Sequence, residues 1–177
     1  MMANLNKRVD SNIINTTTGD RLRFGYDPNI KSDPVLASRI VKIAISQEGN
    51  HEVGRSDCGS TIARYFVPHS CGQPWCAYFA TWVLMQAGAD IPQMGGALNV
   101  ENYYKNHFKP SRWMQTPQPG DVFTVRSSSG SGRHIGIVVG VNGDGTFDSV
   151  EGNAGKAVRY YKHWRRISEA VGFGRPL

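Results

Sequence analysis

The first clear pattern along the chain is a helical repeat of hydrophobic residues that follows a polar opening segment. Residues 1–33 are polar, rich in Asn and Thr, and show no helical period, which predicts an extended N-terminal arm. Asp33 offers a side chain that can cap a helix, and Pro34 suits the first helical position. An amphipathic helix is therefore expected over residues 34–47, with its hydrophobic positions at Leu36, Ile40, Ile43 and Ala44.

A second hydrophobic stripe predicts a helix over residues 75–87 that ends at Gly88, a residue type common just after helices. The stripe consists of Cys76, Phe79, Ala80, Val83, Leu84 and Ala87. Cys76 is its first member, so the thiol is expected at the helix start and on the face that packs against the rest of the protein. Shorter helices are expected over residues 60–66 and 97–107.

After Pro119-Gly120 the pattern changes to short runs of β-branched and aromatic residues. Strands are expected over residues 121–126, 134–141, 146–151, 157–163 and 171–173. The sequence Asn-Gly-Asp-Gly at 142–145 favours a tight hairpin between two of them. Helices followed by an antiparallel sheet predict an α+β fold, with one domain over residues 34–177.

Composition and charge narrow the possible functions. The 177 residues are 40% hydrophobic, which is enough for one domain with a core. No apolar stretch approaches the roughly 20 residues needed to span a bilayer. The opening residues lack the pattern of a secretory signal, so we expect either action in the cytosol or export by another machine. The net charge of +6 favours polyanionic partners, but no basic run interleaved with aromatics predicts nucleic-acid binding.

Cys76 and His134 form the candidate catalytic pair. A helix start lowers the pKa of a thiol, since free N–H groups and the helix dipole favour the thiolate. His134 begins a strand in which Gly136 and Gly140 follow on the same face by alternation. We expect these glycines to let the helix approach, which would bring the cysteine to the imidazole. A small buried thiol and a surface histidine are the alternatives.

Glu151 and Asn153 are candidates for orienting the imidazole. They end the next strand, and they would project from one face if the backbone there stays extended. Either side chain could accept the second ring N–H of His134, the third role in a Cys-His-Asn or Cys-His-Asp site. Exposure at a hairpin end is the alternative for each.

Four segments together resemble the CHAP domains, which are cysteine, histidine-dependent amidohydrolases/peptidases of the papain-like group related to NlpC/P60 peptidases. The segments are 74–79 (PWCAYF), 119–123 (PGDVF), 134–138 (HIGIV) and 151–153 (EGN), and the resemblance covers roughly residues 40–163. It implies a papain-like fold, Cys76 as nucleophile, His134 as base, and Glu151 or Asn153 as orienting residue; we separately expect no cofactor. It also implies peptidoglycan as substrate, cut at a peptide crosslink, within a stem peptide, or between stem peptide and sugar.

The other two cysteines depart from that pattern. Residues 57–60 (DCGS) are similar to the Asp-Cys-Ser-Gly motif of NlpC/P60 peptidases, but the Gly-Ser order differs and the next segment has only a short apolar face. Cys76 is therefore the preferred nucleophile. Cys58 and Cys71 could form a disulfide in an oxidising compartment, or stay as two inert thiols.

Two metal sites can be weighed, and neither has a complete ligand pattern. Cys58, His69, Cys71 and Cys76 match no familiar zinc spacing. The alternating residues from Asn142 to Asp148 resemble the start of a calcium loop but lack its glycine and bidentate glutamate. We therefore expect no metal, and activity that survives chelators.

The remaining expectations concern the oxyanion site and delivery. The backbone N–H of Cys76 should stabilise the oxyanion, with Gln73 as a candidate second donor and Trp75 as a candidate wall of the cleft. A wall hydrolase without an export signal would need delivery, either as a phage lysis enzyme or as an effector injected into rival bacteria. An effector would be paired with an immunity protein that covers the Cys76 cleft. An intracellular cysteine amidase or deconjugating peptidase on another substrate is the alternative.

Overall fold

A computed structural model describes residues 27–128, 130 and 132–177. Most of the predicted arm at 1–33, and part of the glycine- and serine-rich loop at 127–132, lie outside these residues. The helices are α1 (Pro34–Ser46), α2 (Ala63–Phe66), α3 (Cys76–Ala87) and α4 (Ala97–Asn106). The strands are β1 (Trp113–Met114), β2 (Val122–Arg126), β3 (Arg133–Val141), β4 (Thr146–Glu151), β5 (Arg159–Arg166) and β6 (Ala170–Gly174).

The two long helices begin and end where their sequence signals lie. The Asp33 carboxylate accepts hydrogen bonds from the backbone N–H groups of Val35 and Leu36, at 2.8 and 3.3 Å, which caps α1. Helix α3 ends at Gly88, whose φ of 91° is readily adopted only by glycine. Both predicted helices are present to within one residue at each end.

The strands form one six-stranded antiparallel sheet in the order β1-β6-β2-β3-β4-β5. The predicted α+β class, with helices packed on a small antiparallel sheet, is confirmed. Strand β1 was not predicted, since two residues carry no usable alternation. Strand β5 begins and ends later than expected, because a register shift against β4 and a left-handed His163 (φ 49°) interrupt its alternation.

The sheet buries hydrophobic residues on both faces. Helices α1 and α3 cover the face that carries Ile135, Ile137 and Val150. The other face holds an aromatic cluster of Phe123, Phe147 and Phe173, in which neighbouring rings meet edge to face. Packing α3 on β3 and β4 brings the first residue of α3 near the start of β3 and the end of β4. No helix in the described ranges has the length and apolar character to cross a membrane.

Candidate active site

Cys76 is the first residue of α3 and lies at the wall of a surface cleft. The cleft has a volume of about 550 Å³, and its other polar lining residues are His69, Gln73, Tyr78, Gln93, Asn99 and Arg133. The thiol is free, and the residue is 9% exposed. No side chain caps the helix at Trp75, so the N–H groups of the first turn remain available at the position of the sulfur.

His134 is the second residue of β3, and its side chain is 23% exposed. Pairing with Val125 of β2 fixes the backbone at this point. The Cys76 thiol is one of the groups that raise the pKa of this imidazole, so the two side chains are neighbours, and Nε2 lies 2.8 Å from Oε2 of Glu151. The predicted pairing of a helix-start cysteine with a strand-start histidine is therefore present in the fold.

A glycine does allow helix α3 to approach the sheet, but it is not one of the two glycines of β3 expected from the sequence. The helices pack on the Ile135 face of β3, whereas a Cβ at Gly136 would lie 2.8 Å from both the Glu151 side chain and the Phe123 ring on the other face. The close approach of α3 occurs at Gly152, where a Cβ would lie 2.5 Å from Cβ of Phe79. Gly136 therefore makes room for Glu151, and Gly152 for the helix.

Glu151 is the most strongly held side chain of the site. Its side chain is 1% exposed, and Oε1 accepts a hydrogen bond from Oγ of Ser149 at 2.7 Å. Arg165 on β5 donates from Nε to Oε1 at 2.8 Å and from Nη2 to Oε2 at 2.6 Å. A fork of this kind fixes a carboxylate in one orientation, and here that orientation faces His134.

The charges of the site reinforce one another. Burial alone would raise the pKa of Glu151, but hydrogen bonds from Arg165 and His134 lower it to about 2. Burial would lower the pKa of His134, but its contacts with Cys76 and Glu151 raise it to about 9. At neutral pH the structure thus favours an imidazolium held beside a carboxylate.

Asn153 does not share the position of Glu151. Strand β4 ends at Glu151, and Asn153 adopts a left-handed conformation with φ of 56°, so the alternation assumed for the two residues stops between them. Its side-chain amide donates to Oδ1 of Asp57 at 3.3 Å instead. Of the two candidates, only Glu151 contacts the imidazole of His134, while Asn153 connects the turn after β4 to the loop at Asp57.

This arrangement can be compared with known proteins. Residues 68–153 match the family model of the CHAP domain. This part of the chain therefore resembles a CHAP domain. The matched range contains Cys76, His134, Glu151 and Asn153, so the resemblance drawn from the motifs is confirmed, and so is the expected class of cysteine peptidase or amidase.

Several solved structures resemble this chain at low identity. One is described as similar to a lipoprotein of the NLP/P60 family from Staphylococcus aureus, with 18% identity and a TM-score of 0.49, covering 85% of this chain and 44% of that one. NlpC2 from Trichomonas vaginalis has 15% identity and a TM-score of 0.49, covering 85% and 50%. Ly7917 has 17% identity and a TM-score of 0.43, covering 79% and 62%. The chain thus spans about half the length of these proteins. No protein of curated function matches the sequence.

Gln73 and Trp75, the candidates for an oxyanion donor and a cleft wall, differ in where the structure places them. Gln73 lines the cleft, but its amide Nε2 donates to the backbone oxygen of Ser70 at 3.0 Å. Trp75 is fully buried, stacks on Tyr65, and donates from Nε1 to Glu52 at 3.0 Å. Trp75 therefore belongs to the core beneath the site, and the cleft wall at this point is formed by Pro74 and Tyr78.

The other two cysteines are joined to each other. Cys58 and Cys71 form a disulfide, and Arg55 lies across it with Nη2 at 3.4 Å from Sγ of Cys58. The bond links the loop after α1 to the segment that leads into Cys76. Two sulfurs in a disulfide cannot serve as thiolate ligands, so the zinc arrangement considered from the sequence does not form here.

The suspected calcium loop is a hydrogen-bonded hairpin. The amide of Asn142 donates to Thr146 at 3.1 Å and to Asp148 at 3.0 Å, while Oδ2 of Asp144 lies 3.4 Å from Nδ1 of His163. In the part of the chain that the structure describes, no three His, Cys, Asp or Glu side chains are grouped as metal ligands would be.

Sequence reasoning missed the residues that hold the candidate catalytic groups. Arg165 and Ser149 support Glu151, and Glu101 holds Arg133 beside His134. Arg165 lies opposite Phe147 in the strand pairing. This pairing depends on a register shift that the sequence pattern does not predict.

Proposed function

We propose that this chain is a peptidoglycan hydrolase that cleaves an amide bond of the bacterial cell wall. The observation that carries the proposal is the free Cys76 at a helix start, facing an imidazole that the buried Glu151 orients, at the wall of an open cleft. The CHAP match supports the same chemistry. The net charge of +6 suits contact with anionic wall polymers.

The proposed reaction has two steps. Sγ of Cys76 attacks the amide carbonyl carbon, and the C–N bond breaks as His134 gives its proton to the departing amine. The product is a thioester between the acyl part of the substrate and Cys76. Water then attacks the thioester while His134 accepts a proton from it, and the freed carboxylic acid leaves. Glu151 keeps the imidazole in one orientation and stabilises its charged form throughout.

The oxyanion of each tetrahedral intermediate would be bound by N–H groups at the start of α3. The backbone N–H of Cys76 is the first donor, because the first turn of a helix has no internal partners for its N–H groups. Gln73 can be the second donor, because its amide NH2 carries two hydrogens and the hydrogen bond to Ser70 uses one of them.

We further propose that the enzyme acts in the periplasm or at the wall, as an effector delivered into rival bacteria or as a phage lysis enzyme. The Cys58–Cys71 disulfide supports this location, since such bonds persist in oxidising compartments. In the effector case, an immunity protein would cover the Cys76 cleft.

The central test is digestion of purified sacculi, followed by mass spectrometry of the released muropeptides. The wild-type protein should release fragments whose new termini identify the cut bond as a crosslink, a stem-peptide bond or the bond to the sugar. Cys76→Ala and Cys76→Ser should release nothing while keeping the same thermal unfolding. The double variant Cys58→Ala, Cys71→Ala is the matched control, and it should retain turnover.

Two outcomes would count against the proposal. Digestion by Cys76→Ala at the wild-type rate would exclude Cys76 as the nucleophile. Intact sacculi beside cleavage of a non-wall amide would favour an intracellular amidase. Location is tested by expression with and without a periplasmic signal sequence: lysis should require the signal, whereas equal toxicity from the cytosol would contradict a wall target.

A further inference from the structure

Arg133 is the residue directly before His134, and its side chain lines the cleft that contains Cys76. The side chain is 17% exposed, and Nε donates to Oε2 of Glu101 at 3.1 Å. Among the residues that the structure describes, the terminal nitrogens of this guanidinium have no hydrogen-bond partner. Glu101 thus fixes Arg133 through its Nε, and the terminal N–H groups of the guanidinium remain available at the cleft wall.

Glu101 is a buried anchor for this arginine. Its side chain is 2% exposed and also binds Nζ of Lys105 at 2.5 Å and Oγ1 of Thr124 at 2.9 Å. Burial would raise the pKa of Glu101, but the hydrogen bonds from Lys105 and Thr124 keep it lowered. The carboxylate of Glu101 therefore stays ionised. Its single negative charge pairs with the positive charges of both Lys105 and Arg133, so a net positive charge remains beside the cleft.

The rest of the described cleft lining has no negatively charged side chain that would offset the positive charge of Arg133. The described lining contains amides, a phenol and the imidazole of His69, but neither Asp nor Glu. A second surface groove, at the start of β5, is by contrast lined by Glu48 and Glu52 together with basic residues. The Cys76 cleft is therefore the one suited to an anionic ligand.

We propose that Arg133 binds a carboxylate of the substrate close to the scissile amide, so that the cleft selects acidic peptides. This inference rests on the proposed function and names its substrate class. A guanidinium pairs with a carboxylate through two parallel hydrogen bonds, which gives both affinity and orientation. Amidation of that carboxylate removes the charge and one acceptor, so the amidated peptide is the poorer substrate.

The position of Arg133 limits where the carboxylate can lie. Arg133 and His134 are consecutive, with Cα atoms about 3.8 Å apart, and their side chains leave opposite faces of β3. The scissile carbonyl must sit between Cys76 and His134. Because Arg133 and Cys76 line the same cleft, the bound carboxylate belongs to a residue near the cut bond.

The experiment compares two synthetic wall peptides that differ only in a free or an amidated carboxylate next to the cut bond. Wild-type kcat/KM should favour the free acid by about 10- to 100-fold, the range for a hydrogen-bonded charge. Arg133→Gln should lose this preference by raising KM for the acid peptide, with little change for the amidated one. Arg133→Lys should keep part of the preference, since it retains the charge without the fork.

Two further variants separate binding from structure. Glu101→Gln should raise KM for the acid peptide only, because the guanidinium loses its charged anchor. Arg39→Ala, which removes an exposed arginine of α1 outside the cleft, should match the wild type on both peptides.

The outcomes also separate this inference from the proposed function. Equal wild-type rates on the two peptides, or an equal loss on both in Arg133→Gln, would overturn the carboxylate assignment while sacculus digestion continues. If wild-type protein digests neither sacculi nor peptides, the proposed function itself is wrong and the assignment falls with it.

Discussion

Arg165 donates hydrogen bonds to both carboxylate oxygens of Glu151, at 2.8 and 2.6 Å. The same carboxylate contacts Nε2 of His134 at 2.8 Å. An arginine two strands away from the histidine, on the edge strand β5, therefore sets the orientation of the proposed catalytic imidazole. Arg165 is a positioning residue, because it touches neither the thiol nor the cleft lining.

We expect Arg165→Gln to lower kcat with little change in KM. Without the guanidinium, burial raises the pKa of Glu151, so this carboxylate becomes protonated at a higher pH. The acid side of the kcat/KM profile should therefore move to higher pH, and Arg165→Lys should restore part of the rate. Lys162→Gln, at an exposed position of the same strand, is the matched control. An unchanged pH profile in Arg165→Gln would reduce Arg165 to a structural role.

Glu151 and Asn153 should differ sharply in importance. Glu151→Gln removes the charge that stabilises the imidazolium and should lower kcat by roughly 10²-fold or more. Asn153→Ala removes a hydrogen bond of 3.3 Å to Asp57 and places alanine at a left-handed position, so the loss of kcat should be small and accompanied by a drop in Tm. Steady-state kinetics on one peptide measures both. A larger loss in Asn153→Ala would transfer the orienting role to that residue.

The pH dependence of activity and stability should follow His134. Its pKa is raised from 6.5 to about 9, so the imidazolium that protonates the leaving amine is lost as the pH rises through 9, and kcat/KM should fall there. Because the folded-state pKa is the higher one, the contribution of His134 to stability is complete below pH 6.5 and disappears as the pH rises through 9. The Tm difference between wild type and His134→Gln should therefore shrink across this interval. A constant difference would contradict the raised pKa.

Local patterns predicted the parts of the site that depend on local structure. The stripe that begins at Cys76 and the alternation that begins at His134 locate α3 and β3, because helix and strand periods are properties of neighbouring residues. The placement of Asn153 could not be predicted in this way. Its expected face assumed an extended chain beyond Glu151, but Asn153 is left-handed and its amide donates to Asp57, which is distant in sequence.

Long-range pairing explains the other gaps. Arg165 lies opposite Phe147 only because β5 shifts register against β4, and Arg133 finds Glu101 only after α4 packs beside the sheet. The Cys58–Cys71 pairing depends on the fold of the loop and on the redox compartment, neither of which the spacing of three cysteines determines.

The approach of α3 to the end of β4 gives a final prediction, made with two glycines that differ in surroundings. At Gly152 an added Cβ would lie 2.5 Å from Cβ of Phe79, whereas at Gly143 nothing lies within 4 Å. Neither glycine has a positive φ, so backbone strain does not distinguish them. Gly152→Ala should push α3 from the sheet and cost about 1–3 kcal/mol of unfolding free energy, which lowers Tm by roughly 2–4 °C per kcal/mol. Since Cys76 begins α3 and Glu151 precedes Gly152, the same displacement should separate the thiol from the imidazole and lower kcat more than it raises KM.

Gly143→Ala should leave Tm and kcat near their wild-type values. If both alanine variants behave alike in thermal unfolding and kinetics, the contact between Phe79 and Gly152 does not set the geometry of the site.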